Sequence, residues 1–145
     1  MNTYKNLPEI QKAQLRKFPA YISLLAAAYH NHGMDEKEKQ TAVKFTHVKS
    51  FKSEPLLADF YADVEQDFEQ TLTLLNSQLP KSKKEREVAI KAELEKIESI
   101  LINLGTEYSV ALHKSMETYR EHVAHCHDNM LEYFIFPIPI KGLTY

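Results

Sequence analysis

The sequence predicts an all-α fold: one domain over residues 1–145, a bundle of roughly five to seven helices with an extended apolar C-terminal segment. Three observations predict it. Apolar residues recur every three or four positions through most of residues 1–130. Helix-capping signatures punctuate that pattern at Asn6–Glu9, Asp35–Glu38 and Ser82–Glu85. No useful length of the same span alternates apolar and polar residues with period two, as a half-buried strand would.

The elements follow in chain order. Asn6-Leu7-Pro8-Glu9 offers a cap residue, an early proline and a glutamate placed to reach back, which opens a short helix from about residue 7 to Lys17. Pro19 disfavours helical geometry at Phe18 and interrupts it. A second helix runs from Pro19 to about His32, with Tyr21, Ile22, Leu24, Leu25, Ala28 and Tyr29 at helical spacing. Gly33 suits the left-handed residue that ends such a helix, and Asp35 with Glu38 forms the next capping box. The third helix covers 36–52, with Val43, Val48 and Phe51 read as inward and Lys37, Lys39, Lys44, Lys49 and Lys52 as largely outward.

Ser53-Glu54-Pro55 restarts a helix that lasts to Gln78, carrying a continuous stripe of Leu57, Phe60, Tyr61, Val64, Phe68, Leu72, Leu75 and Leu79. Ser82-Lys83-Lys84-Glu85 caps a helix that reaches about Asn103. Gly105 then either breaks the chain or sits inside one long helix. The apolar phase runs on from Ile97 through Tyr108, Leu112, Tyr119, Val123, Cys126 and Met130, which favours a mild kink.

Composition narrows the function classes. Lys plus Arg is 18 against 20 Asp plus Glu, a net charge of −2, which gives no global field for holding nucleic acid. A single cysteine excludes an internal disulfide framework and fits a reducing compartment. Three glycines form neither a dinucleotide-binding fingerprint nor a P-loop. The first six residues are polar with no apolar run behind them, and the longest apolar stretch, 133–140, falls far short of the ~20 residues of a spanning helix. A cytoplasmic protein without a transmembrane segment is the expectation.

The candidate chemistry is sparse. Asp59, Asp63 and Asp67 form one row at i, i+4 and i+8, a face for water, lysines or a hard cation. His122 and Cys126 are i, i+4 on the apolar arc of the last helix, with His125 at its edge. Imidazole and thiolate are good zinc ligands, and His32 is the donor another element would supply. His32, His122, His125 and Cys126 are therefore the candidate metal set, for a divalent ion as the one candidate cofactor. The simpler alternative is a buried thiol packed beside a hydrogen-bonded histidine. His113 and Glu117, at i, i+4, read as a surface pair. Tyr29, Tyr108 and Tyr119 could line a small-ligand pocket as readily as fill a core.

Residues 21–38, Tyr-Ile-Ser-Leu-Leu-Ala-Ala-Ala-Tyr-His-Asn-His-Gly-Met-Asp-Glu-Lys-Glu, resemble the alanine-rich helix, turn and acidic capped helix of TerB-like (tellurite-resistance) helical domains. The resemblance implies an all-helical fold and a setting in stress or metal-ion responses. Gly33, Asp35 and Glu38 are the positions it carries over. His32 stands where those domains have an aspartate before the glycine, which departs from an acidic metal site at this turn.

Residues 130–145 close the chain with an aromatic and aliphatic segment in which Pro137 and Pro139 enforce an extended course. So apolar a segment needs a surface to cover, on its own bundle or on a partner. The leading expectation is a non-catalytic module that works through a protein partner or self-association by this segment. The alternative is a metal-binding protein or metal-dependent enzyme with its site between the 30–35 corner and the 122–126 helix.

Overall fold

Six α-helices and two 3-10 turns make up the described residues, 3–27 and 33–127, of a computed structural model, and no strand occurs among them. A 3-10 turn at Tyr4–Asn6 leads into α1 (Glu9–Arg16) and α2 (Phe18–Ala27). Next come α3 (Glu36–Lys52), a 3-10 turn at Pro55–Leu57, α4 (Ala58–Gln78), α5 (Lys83–Ile102) and α6 (Thr106–Ala124). The predicted all-α bundle is what the chain forms.

Helix α2 is the central rod. Phe18, Pro19, Ala20, Tyr21, Ser23, Leu24, Ala26 and Ala27 are all buried, so it is apolar nearly all round. A helix of that kind must be enclosed by others, and α2 packs against α3, α4, α5 and α6. Its start shows how proline works at a helix N-terminus. Lys17 ends α1, Pro19 sits in the first turn of α2 where no amide is missed, and the Tyr21 amide donates to the Lys17 carbonyl at 2.9 Å.

Helix α4 carries the predicted stripe. Leu57, Phe60, Tyr61, Val64, Phe68, Leu72 and Leu75 are buried, and Leu79 is partly so. The helix kinks at Asp67 (φ −142°, ψ 24°) without losing that phase. The row of aspartates on its flank meets the N-terminal turn: Tyr4 donates to Asp63 Oδ2 at 2.8 Å, and Lys5 Nζ lies 3.8 Å from Asp59 Oδ1.

Three local expectations are corrected, and the choice left open at Gly105 is decided. Asn6 ends the 3-10 turn, and Pro8 takes the cap position of α1 with no side-chain hydrogen bond, so no capping box forms there. In α3 the buried face is Glu38, Ala42, Phe45 and Thr46, while Val48 and Phe51 are 40% and 63% exposed. Apolar residues lie on several sides of that helix, so spacing alone could not orient it; packing against α4 and α6 did. Gly105 breaks the chain between α5 and α6, with φ +87° and ψ 166°, a region open essentially to glycine alone. His113 then pairs with Glu98, Nε2 to Oε2 at 2.6 Å, and Glu117 with Arg120. Fifteen residues along one straight helix span ~22 Å, so that contact requires α6 to fold back on α5.

The core contains a chain of hydroxyls. Thr46 Oγ1 and Tyr119 OH share a 2.7 Å hydrogen bond, Tyr61 OH is bonded to Ser115 Oγ, and Thr118 donates to the Ser115 carbonyl at 2.6 Å. Tyr119 is fully buried between Phe45 and Tyr61. Tyr108 and Tyr119 are thus core residues, 4% and 0% exposed, while Tyr29 lies outside the described residues. So do His32 and residues 130–145, with the roles the sequence suggested for them.

A second anchor joins the loops at one end of the bundle. Arg86, 1% exposed, donates from Nη1 to the carbonyls of Pro80 (3.2 Å) and Asn76 (3.4 Å) and from Nη2 to Asn76 Oδ1. The same Asn76 oxygen accepts from the Met34 amide at 3.2 Å. Gly33, at φ +72°, lets the chain pass there; a Cβ on it would meet Asn76 Oδ1 at 3.4 Å and Arg86 Nη2 at 3.5 Å. This clamp fixes where α3 begins.

Candidate metal centre

The first turn of α3 holds the centre of interest. Asp35 caps the helix: its Oδ1 accepts from the Glu38 amide at 2.8 Å, and Glu38 Oε1 accepts from the Asp35 amide at 2.9 Å. This reciprocal box settles two of the amides a helix start leaves unpaired. It also points the Glu38 carboxylate inward, where only 1% of the residue is exposed.

Helix α6 ends beside it. His125 is the C-terminal cap, its amide donating to the Glu121 carbonyl at 3.1 Å, and the chain turns through Cys126 and His127. The turn brings both to α3. Ligand atoms of Glu38, Cys126 and His127 all lie within 4.8 Å of one another, and His127 Nε2 meets Asp35 Oδ2 at 2.6 Å. Two helix ends, 35–38 and 124–127, thus place a carboxylate, a thiol and an imidazole together, with a second carboxylate behind the imidazole.

The electrostatics follow from burial and charge. Burial pushes the Asp35 carboxyl up, but the Glu38 amide and the His127 ring outweigh it and hold the group below its usual range. Burial raises the Cys126 thiol first and the Glu38 charge second, with Asp35 adding less, against the opposing effects of a hydrogen bond with Thr41 and the Lys37 charge. Burial and the two carboxylate charges thus both favour the protonated thiol. The thiolate is both the attacking and the ligating form of cysteine, so a metal bound here would have to displace the thiol proton. The α3 N-terminus is positive and would repel a cation, but two carboxylates already offset it.

Of the candidate metal set, Cys126 enters this group, His122 and His125 do not, and His32 lies outside the described residues. His122 turns away: its Nδ1 donates to the Thr118 carbonyl at 2.8 Å, and its ring packs on Phe45 with centroids 4.6 Å apart. His125 Nε2 lies 3.5 Å from Glu121 Oε2 on its own helix. Glu38 and His127 were missed as ligands. Glu38 was read as a cap, which it is, and nothing local tells that a cap glutamate is also buried. His127 follows Cys126 directly, a spacing that points the two side chains apart on a helix; they converge because α6 has already ended.

No family model, curated protein or solved structure matches the chain. Among the described residues, no helix is long and apolar enough to cross a membrane.

Proposed function

We propose that this chain is a non-catalytic helical module that binds one divalent transition-metal ion through Glu38, Cys126 and His127. One observation carries the reading: a buried carboxylate, a thiol and an imidazole converge within 4.8 Å from two separate helix ends. Thiolate, imidazole and carboxylate are the donors zinc takes. A tetrahedral ion with bonds of about 2.0–2.3 Å spaces its ligands by roughly 3.3–3.7 Å, so modest side-chain movement closes the set. Asp35 against the His127 ring supplies the outer carboxylate that orients metal-binding histidines. Glu38 is deeply buried while His127 and Asp35 are about half exposed, which leaves the ion a path from solvent. The free thiol needs a reducing compartment, in keeping with the cytoplasm. The resemblance of residues 21–38 to TerB-like domains implies a metal-ion or stress setting and agrees with this reading.

Cobalt is the direct probe. One equivalent of Co²⁺ should give a thiolate-to-metal charge-transfer band that zinc displaces, and C126S should abolish it. H127A and E38Q should each weaken uptake by roughly tenfold or more. Cobalt uptake well below one equivalent, or a band that survives C126S, defeats the proposal.

A second reading, contact with other protein chains, draws on the outer face of α3, where Val48 and Phe51 stand exposed. Light scattering across a concentration series, with F51S as comparison, tests its self-association form. A mass that rises with concentration in the wild type and not in F51S supports that form, and a monomer throughout removes it.

A further inference from the structure

Eleven residues along α3 from Glu38, about 16 Å by helix geometry, the chain builds a second polar feature. A cleft of about 340 Å³ lies between the end of α3, the Pro55–Leu57 turn and the middle of α6. Lys49, Lys52 and Lys114 line it against one carboxylate, Glu54, and Ser115 and Thr118 form its floor. Among the described residues none of the three ammonium groups pairs with a carboxylate, although the protein as a whole is acidic. Lys49 is half buried, its Nζ 5.8 Å above the Tyr61 ring and 5.9 Å above the Phe45 ring.

We propose that this cleft binds a small phosphate-bearing anion, either inorganic phosphate or a phosphomonoester. Three positive groups against one negative give the lining a net excess of cations, and a cation lifted out of water over aromatic faces gains from a counter-charge. The choice of phosphate rests on donor geometry. Lysine ammoniums are point charges with rotatable donors, suited to a tetrahedral dianion approached from several sides. The flat two-pronged contact that favours a carboxylate is the work of arginine, and no arginine lines the cleft. The floor adds a neutral donor: Tyr61 OH can donate to Ser115 Oγ, which leaves the serine proton to face the ligand. The volume accepts a phosphate and a small organic body beside it. This site shares no residue with the metal centre and stands or falls separately.

The test titrates the full chain with inorganic phosphate and, separately, with glycerol phosphate, by calorimetry and amide NMR in EDTA. Saturable one-to-one binding is expected, with shifts gathered at Lys49, Ser115 and Thr118. K49M keeps the apolar stem, and K114M alters only an exposed side chain. Each should weaken binding roughly tenfold or more, the weight of one charge-assisted hydrogen bond. K44M, on the exposed side of the same helix, should bind as the wild type does. Binding of both probes assigns the site to the phosphate group itself, and binding of the ester alone assigns part of it to the organic body. No saturation by either probe up to ~10 mM, or full affinity in both K49M and K114M, overturns the proposal.

Discussion

Replacing Asn76 by alanine removes one oxygen that serves two donors from distant parts of the chain. Its Oδ1 accepts from Arg86 Nη2 and from the Met34 amide, 3.2 Å away. The first is a hydrogen bond to a charged group, worth roughly 1.5–3 kcal/mol, and the second a neutral one worth about 1 kcal/mol. Arg86 has little in reserve. It is 1% exposed, its Nε has no hydrogen-bond partner among the described residues, and burial alone holds its guanidinium below the usual range. The expected loss in N76A is therefore about 3 kcal/mol, a fall in Tm on the order of 10 °C for a chain of this size. Urea unfolding followed by far-ultraviolet circular dichroism measures it, with an unchanged slope showing that the native state stays compact. N76D is the matched control. It keeps the acceptor for Arg86 and the Met34 amide and gives up the 3.4 Å donation from Asn76 Nδ2 to the Met34 carbonyl, so it should retain most of the stability that N76A loses. N76A within ~0.5 kcal/mol of wild type, the ordinary range for a surface change, would refute the clamp.

Further predictions read other parts of the bundle. G105A should destabilise by roughly 1–3 kcal/mol, because φ +87° with ψ 166° is closed to alanine although nothing lies within 4 Å of the added carbon; a continuous α5–α6 helix would instead gain about 1 kcal/mol from the same change. L72A should cost about 2–5 kcal/mol and L74A, two positions on and 55% exposed, under ~1 kcal/mol, both read from urea midpoints. Glu93 is held below the usual glutamate range chiefly by its hydrogen bond from Lys96 at 2.9 Å, against a smaller opposing effect of burial. A lowered folded-state pKa gives stability that is complete above the unfolded value, ~4.3, and is lost as pH falls through the folded one. E93Q should accordingly flatten the acid side of a stability–pH curve, and a curve that keeps its slope contradicts the assignment.

How much of the site was readable beforehand differs residue by residue. Asp35 and Glu38 announced their pairing three positions apart, and the structure closes that box with two short hydrogen bonds. Ser82 did the same for α5, accepting from the Glu85 amide at 3.2 Å. What no spacing announced is that Glu38 would be buried and face Cys126, 88 positions along the chain. Arg86 is the same case: an arginine in a charged stretch looks solvated until two loops close over it.

The amino-acid order by itself determined the capped starts of α3 and α5, and which face of α4 turns inward. Those outcomes depend on contacts within one or two turns: a cap and its amide, and a stripe repeating every 3.6 residues. Tertiary structure alone decided the rotation of α3, the fold-back at Gly105 and the meeting of Glu38, Cys126 and His127. Each of these turns on which helices share a boundary. α3 has apolar side chains on several sides, so its orientation came from the shape and volume of α4 and α6 against it. Two helix ends far apart in the chain met because packing, which no local pattern encodes, brought them together.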